Sequence, residues 1–430
     1  MNVTVIGTGF VGVVTAVVYS SLGHRVWGLD IDQHKIDSLR QGDVPFWEPD
    51  LAKLLTDQLR SGRLTFTTNY QTAVAESEVV IIAVGTPSTP EGEADLRYVW
   101  AACESLAPHL QPEAVVAIKS TVPPGTLPSA ERIIVKHDGP RQPIMAALPE
   151  FLREGSAVAD TLKPDRVVIG AVNQHAIDQL TKLHQDFAAK IVVVSPESAQ
   201  LGKYAANAYL AARITFINQV ADLCQRSGAN VEEVIEVIGH DQRIGRHYWY
   251  PGFGYGGSCF PKDVNELAAY SRRVNESDNL FNKLSQLNSE RIPKLMDQYA
   301  SQVGGFADKQ VAVLGLAFKP HTNDMREAPS LKVIPYLLNA RATVIGYDPQ
   351  ALDQVDRYLQ PHPQLEFEDS ISTAVDQADI IMALIEWPQI TEFEFAKTKA
   401  DKEQWFIDAR NQFDQAGLLA AGYRYLGVGI

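Results

Sequence analysis

Cysteine is scarce: three in 430 residues, Cys103, Cys224 and Cys259, far apart and without a CxxC spacing. That pattern excludes a disulfide frame and a thiolate zinc site, and it suits thiols kept reduced. The ten histidines form no HExxH or comparable cluster, so no metal is expected. Long hydrophobic runs are missing too, since the apolar stretch Val79 to Val84 is far too short to span a bilayer. Met1 runs straight into a strand-like segment with no basic n-region, which predicts no secretory leader and, with the thiols, a cytoplasmic protein. A basic stripe is also absent and the net charge is −14, so neither a nucleic-acid nor a membrane partner is expected. A few local Lys and Arg can still hold an anionic substrate.

The hydrophobic content of 45% and charged content of 21% belong to an ordinary globular chain, and 430 residues exceed one compact core. The first element reads strand, Gly-rich turn, helix, strand, acid: Val3 to Ile6, then Gly7-Thr8-Gly9-Phe10-Val11-Gly12, Val13 to Leu22, Arg25 to Leu29, and Asp30. Gly7 permits the tight turn, Gly9 lets backbone approach a pyrophosphate, and Gly12 lets the helix pack on the sheet. Asp30 at the second strand's end suits ribose hydroxyls and disfavours a 2′-phosphate, which points to NAD. Further strands are expected at Glu78 to Val84, Ala114 to Lys119, Pro143 to Leu148, Arg166 to Gly170 and Lys190 to Val194. Near Lys309 the pattern returns. Gln310 to Gly315 echoes the first strand, and Ala342 to Tyr347 with Asp348 echoes the second, although Gly315 opens no GxGxxG. A second dinucleotide site is therefore not expected there, and Lys319 beyond the strand suits a different phosphate ligand. Between the two lies a helical middle. Leu201 to Arg226 is apolar on most faces, stops at Ser227-Gly228, and reads as a buried spine or a dimer interface. The expected fold class is α/β: two Rossmann-like doubly wound domains joined by a long central helix, divided at 1–196, 197–300 and 301–430.

Three further patterns have chemical content. Gly254 to Asp263 places Cys259 in a Gly-rich loop beside Lys262 and Asp263, where a cation favours thiolate; the alternative is a small buried cysteine. Lys203 and Asn207 sit at i and i+4 on the mostly apolar helix, either as a site or as a helix-end lysine reaching solvent. Glu150 and Glu154 follow a strand-like stretch and share a face if Pro149 to Gly155 is helical; the alternative is an ordinary acidic helix start.

Together, Gly7 to Gly12, Gly85-Thr86-Pro87, Lys119 to Pro123, Pro149 to Gly155, Lys203 to Asn207, Gly256 to Asp263 and Phe318-Lys319-Pro320 resemble the UDP-glucose/GDP-mannose dehydrogenase family from Met1 to about Gly427. The resemblance implies an NAD-binding first domain, a central helix used in homodimerisation, and a last domain holding UDP. It implies oxidation of a sugar C6 alcohol to a carboxylate with two NAD, as in making uronates for polysaccharide. Carried onto this sequence, Cys259 is the nucleophile, Lys203 and Asn207 stabilise oxyanions, and Glu150 is the base of hydrolysis. Thr121 and Asp263 help place a water. The sugar nucleotide is expected to meet Phe151, Leu152, Tyr248, Tyr250, Gly252, Gly256, Lys319 and Arg410, with Arg243 reaching across from a dimer partner. NAD is expected to touch Val11, Asp30, Lys35, Thr86, Thr121, Glu154, Lys262 and Arg326, besides the glycine turn. Leu148 stands where the family usually has Asn, and Ala409 where it usually has Gly. The stretch Tyr255 to Phe260 looks like the UDP-glucose branch. The alternatives are GDP-mannose or a UDP-N-acetylhexosamine as substrate, a two-electron hydroxyacid-type dehydrogenase with a structural Cys259, or a non-catalytic NAD-binding protein.

Overall fold

A computed structural model describes residues 1–399 and 402–430. The chain divides into two compact units, Met1–Ala206 with Ala269–Asn275, and Asn207–Ala268 with Glu276–Ile430.

The first unit is built on an eight-stranded sheet. Its strands are β1 (Asn2–Ile6), β2 (Arg25–Leu29), β3 (Leu64–Thr67), β4 (Val79–Ile82), β5 (Val115–Ile118), β6 (Ile144–Ala147), β7 (Arg166–Gly170) and β8 (Lys190–Val194). The order is β3-β2-β1-β4-β5-β6-β7-β8, parallel except where β6 meets β7. The central strands are apolar on both faces (Val79, Val80, Ile81 and Ile82 are all fully buried) because helices cover both sides. The second unit carries β9 (Gln310–Leu314), β10 (Thr343–Tyr347), β11 (Leu365–Phe367), β12 (Ile380–Ala383), β13 (Gln404–Asp408) and β14 (Tyr423–Leu426). Its order, β11-β10-β9-β12-β13-β14, repeats the first six strands of the other sheet, and the chain reverses direction across each sheet beside the first strand. That reversal opens a crevice at the strands' carboxyl ends, where such sheets bind ligands.

The sequence echo has a hydrogen-bonding basis. Gly7 N donates to Leu29 O and Gly315 N to Tyr347 O, each at 2.7 Å and each from a left-handed glycine. In the second unit Asp348 is buried and accepts from Leu316 N, Ala317 N, Gln350 N and Ala351 N. Both its oxygens are spent on the turn. Asp348 therefore works as a staple, and the acid of the second unit serves structure where that of the first faces a crevice.

The expected helix around Leu201 to Arg226 is longer, Pro196–Ser227, and ends before Gly228 in the left-handed conformation. In the single chain this helix is not buried on every face, as the spine reading alone would require. Tyr209, Phe216 and Leu223 are 61%, 55% and 64% exposed in the single chain, at seven-residue spacing along one face. Pro149 to Gly155 is not helical either; it is an irregular turn leading to the helix Ala157–Leu162, with Gly155 left-handed. Cys103 and Cys224 are buried, and Cys103 is pushed up to about 12 by that burial. Among the described residues no helix is long and apolar enough to cross a membrane, and no His/Cys/Asp/Glu group could hold a metal ion.

One buried pair makes the first unit sensitive to acid. The Tyr19 hydroxyl meets His184 Nε2 at 2.7 Å, and His184 Nδ1 lies 2.7 Å from the Leu180 carbonyl, which can only accept. Nδ1 therefore carries the proton and Nε2 accepts from Tyr19. Burial pushes His184 down to about 4, only partly opposed by the Leu180 bond, with Lys119 adding to the fall. Because the unfolded chain binds this proton below about 6.5 and the folded chain does not, stability is present above 6.5 and is lost as pH falls towards 4. The full loss is about 3 kcal/mol. Urea midpoints at pH 7 and pH 5 are expected to differ less for His184→Gln than for the unsubstituted chain, although the variant starts about 1 kcal/mol lower from its lost hydrogen bonds.

Candidate active site

The glycine turn fits a dinucleotide. A Cβ at Gly12 would lie 1.8 Å from the Gly7 carbonyl oxygen, and one at Gly7 would lie 2.8 Å from Ala83 O, so both positions need glycine for packing. A Cβ at Gly9 would meet nothing within 4 Å. Gly9 is also the N-cap of the helix Phe10–Ser21, which has neither a side-chain cap nor an acidic residue in its first turn. Its open N–H groups and positive end suit a pyrophosphate. Asp30 stands beside it: Oδ2 accepts from Thr8 N and Thr8 Oγ1 and Oδ1 from Asp32 N, at 2.8 to 3.0 Å. Burial alone would raise the Asp30 carboxyl, but these bonds and the Lys35 charge outweigh it and hold it below the usual carboxylate range. An anion fixed there fits ribose hydroxyls and repels a 2′-phosphate. Lys35 is exposed on the next helix and Val11 is half-buried.

The other candidates of the first unit sit at strand ends. After β4, Thr86 Oγ1 donates to the Thr121 carbonyl at 3.0 Å, so two expected cofactor residues from neighbouring strand ends are joined directly. After β6, Glu150 lies buried against Lys203, Oε1 to Nζ 3.1 Å, while its Oε2 accepts Leu152 N at 2.7 Å. Lys203 thus turns inward, not to solvent. The Phe151 ring carries the Arg166 guanidinium at 3.7 Å on one contact and the Lys203 ammonium at 5.3 Å on another. Lys119, at the end of β5, is a further buried ammonium. Burial pushes it down to about 8, Glu150 opposes the shift, and Lys203 adds to it. Sequence reasoning gave Lys119 no role, although a lysine ending an all-apolar strand was a visible signal. Glu154 is also buried, a few residues on.

In the second unit Cys259 is exposed, and its carbonyl accepts Asp263 N at 2.8 Å, so it caps the start of the helix Phe260–Arg273. A helix N-terminus favours negative charge, which suits a sulfur nucleophile. Ser258 Oγ lies 3.5 Å from its sulfur. One turn on, Asp263 is almost fully buried and accepts from Asn207 Nδ2 and Lys262 Nζ, each at 2.6 Å. The aspartate orients both neighbours, and the Asn207 amide nitrogen has a second N–H to donate. The glycines ahead of Cys259 serve close packing. A Cβ at Gly256 would strike Glu327 O at 2.2 Å, Gly257 N donates to Arg326 O, and Gly257 lies on the Phe318 ring. Close packing fixes the loop and leaves Cys259 at its exposed end.

Gly252 is pinned at both ends, its N–H by Asn218 Oδ1 at 2.8 Å and its carbonyl by Arg291 Nε at 3.0 Å. A Cβ there would meet Ala409 O and the Arg410 guanidinium, which faces Glu386 at 3.4 Å. Ala409 is buried with no left-handed φ, so the methyl in place of the family's glycine strains nothing. Leu148 in place of Asn fills the core and keeps its backbone bond to Ile118 O. Tyr248 adopts a left-handed φ, and its ring lies 5.6 Å from the half-exposed Tyr250. Lys319 lies over Phe318, while Arg326 and Arg243 are exposed and fork onto Asp324 and Asp241.

Fold and site define a dinucleotide-dependent dehydrogenase with a second, Rossmann-like nucleotide-binding unit. Residues 1–188, 197–290 and 312–415 match the NAD binding, central and UDP binding domains of the UDP-glucose/GDP-mannose dehydrogenase family. The chain belongs to that family. It is 40% identical over 432 residues to the UDP-glucose 6-dehydrogenase YwqF of Bacillus subtilis, covering 100% of this chain and 98% of that one. A UDP-glucose 6-dehydrogenase of Rhizobium meliloti is 38% identical, covering 100% and 99%. Among solved structures, a UDP-glucose dehydrogenase from Pyrobaculum islandicum superposes with a TM-score of 0.92 at 35% identity, covering 99% and 97%.

The glycine turn separates folding from binding. Gly9→Ala is expected to leave the melting temperature nearly unchanged, since its methyl meets no protein atom, while NAD affinity falls at least about tenfold by calorimetry. Gly12→Ala is expected to destabilise the fold itself by about 3 kcal/mol, because the methyl must displace backbone.

Proposed function

We propose that this chain oxidises C6 of UDP-glucose to the carboxylate of UDP-glucuronate. The observation that carries the reading is Cys259, exposed at the positive end of the helix Phe260–Arg273 beside the Asn207–Asp263–Lys262 chain. The full-length relatives named for this substrate, and the UDP binding domain match, support the choice of sugar nucleotide.

NAD, when bound, supplies the hydride acceptor for both oxidations. Gly7, Gly9, Gly12, Val11, Asp30 and Lys35 hold its adenosine diphosphate part, with Thr86, Thr121, Glu154, Lys262 and Arg326 along the remainder. The C6 alcohol loses a hydride and, through water, a proton to give an aldehyde. The Cys259 sulfur then bonds to C6, forming a thiohemiacetal. Loss of a second hydride and the hydroxyl proton leaves a thioester. Lys203 and Asn207 stabilise the oxygen each time it carries negative charge. In the last step a water oxygen bonds to C6, Glu150 takes the water's proton, and the carbon–sulfur bond breaks to return the Cys259 thiolate. Thr121 and Asp263 position the groups about that water. One water is consumed and two hydrides leave. Phe151, Leu152, Tyr248, Tyr250, Gly252, Gly256, Lys319 and Arg410 hold the sugar nucleotide.

The working form we infer is a cytoplasmic homodimer through the helix Pro196–Ser227, with Arg243 serving the second subunit's sugar. The exposed stripe Tyr209, Phe216, Leu223 supports this, because apolar side chains at that spacing on one helical face ask for cover. The functional division stays at 1–196, 197–300 and 301–430.

With limiting UDP-glucose and excess NAD, two NADH per sugar are expected at completion, and Cys259→Ala is expected to make uronate at least a thousandfold more slowly. One NADH per sugar would make this a two-electron dehydrogenase. None with UDP-glucose but two with GDP-mannose or a UDP-N-acetylhexosamine would move the substrate within the family. For the dimer, Phe216→Glu is expected to halve the mass seen by light scattering, and an unchanged mass would place the interface elsewhere.

A further inference from the structure

The segment 149–156, which carries Glu150, has no regular structure. Buried backbone N–H groups outside helices and sheets need partners. Here carboxylates supply them. Leu152 N donates to Glu150 Oε2, and Arg153 N to Asp160 Oδ2, whose other oxygen pairs with the Arg153 guanidinium. Gly155 N and Ala157 N both donate to Glu48, at 2.6 Å to Oε2 and 2.7 Å to Oε1. Glu48 is 6% exposed and more than a hundred residues away in sequence. Its two bonds are short and charge-assisted, the stronger kind. They also cover the open N-terminus of the helix Ala157–Leu162, whose own N-cap, Ser156, makes no side-chain bond there.

Glu48 is itself firmly seated. Two residues earlier Phe46 packs on Phe10 of the glycine turn, ring centroids 4.8 Å apart. Two residues later Asp50 turns the chain in a left-handed conformation into the helix Leu51–Ser61. Residues 46–50 thus form a strap with one end on the cofactor turn and a carboxylate on the segment that holds Glu150.

We propose that Glu48 is a positioning residue for the hydrolytic step: by fixing Gly155 and Ala157 it sets the backbone from which Glu150 meets Lys203. This rests on the reading of Glu150 as the base that activates water against the Cys259 thioester. Glu150 lacks a helix to orient it, so displacement at Gly155 passes along a short irregular segment straight to its carboxylate. A misplacement near 1 Å is enough to slow such a step about a hundredfold.

The test is the fraction of enzyme carrying a uronyl thioester at steady state, read by intact-protein mass after acid quench with saturating NAD and UDP-glucose. Glu150→Gln sets the reference and is expected to accumulate the adduct. Glu48→Gln, which turns one acceptor into a donor facing an N–H, is expected to accumulate it at least about tenfold above the unsubstituted enzyme while kcat falls in step. A purely structural role would lower the amount of active enzyme and leave the adduct fraction of that active enzyme unchanged. If Glu48→Gln fails to fold, Glu48→Asp takes its place, because the shorter arm keeps the charge and cannot span both N–H groups. Adduct in Glu150→Gln and none above background in the Glu48 variant overturns the inference alone. No adduct in Glu150→Gln removes the hydrolytic reading and the inference with it.

Discussion

The contact on which the first unit's site depends is the buried ion pair between Lys203 and Glu150, 3.1 Å apart with their side chains 4% and 9% exposed. Taking an ammonium out of water costs several kcal/mol unless charge and hydrogen bonds replace the solvent. Two neighbours of Lys203 answer that requirement. Glu150 gives it a counter-charge and spends its second oxygen on Leu152 N. The Phe151 ring offers its negative face, and Arg166 holds that ring from β7. Lys119 is a second buried ammonium nearby, pushed down to about 8 mainly by burial, with Glu150 opposing the fall and Lys203 adding to it. A cluster of two ammoniums and one carboxylate leaves an electropositive interior, which suits a site that must lower the energy of an oxyanion more than that of a neutral carbonyl.

The second unit meets the same problem with different chemistry. Asp263 is nearly as buried as a core valine, yet both its oxygens are occupied, by Asn207 and Lys262. The exposed group beside it is the thiol. The charged groups are buried and bonded, while the thiol stands at a helix start with access to solvent.

Legibility in the sequence tracked the range of the interactions. The glycine turn with Asp30 was readable because turn, helix start and acid lie within thirty residues and each residue has a local reason to be there. The repeated strand order of the second unit was foreshadowed by Gln310 to Gly315 and Asp348, since the glycine-to-strand bond that the echo encodes is short-range too. The turn at Pro149 to Gly155 was open to a helical reading, and nothing local decides against it. What stabilises the irregular path is Glu48, whose partners lie on the far side of four strands in the sequence. The loop before Cys259 was legible as Gly-rich but its reason was not: Gly256 and Gly257 are small because Glu327 O and the Phe318 ring lie against them, and those residues are sixty to seventy positions on. The central helix was legible to within a few residues at its ends, whereas its exposed stripe at Tyr209, Phe216 and Leu223 was not, because apolar residues lie on most of its faces.

The two acids that end the second strands, Asp30 and Asp348, show how one turn geometry was put to two uses. Each accepts from the backbone that follows the left-handed glycine, so each is needed for the turn. Asp348 goes on to cap the next segment through Gln350 N and Ala351 N, and burial raises its carboxyl despite those four bonds. Asp30 takes one onward bond, from Asp32, stays half-buried, and is held below the usual carboxylate range. A carboxylate with every oxygen lone pair turned inward has nothing to offer a ribose, whereas one that is held anionic at a crevice edge does. The difference arises from the glycines after the first: Gly9 and Gly12 bring a helix start to the first crevice, while Leu316 and Ala317 bury their side chains at the same place in the second. One strand order therefore carries two different turns, with backbone and a helix end open in the first unit and apolar side chains filling the same place in the second.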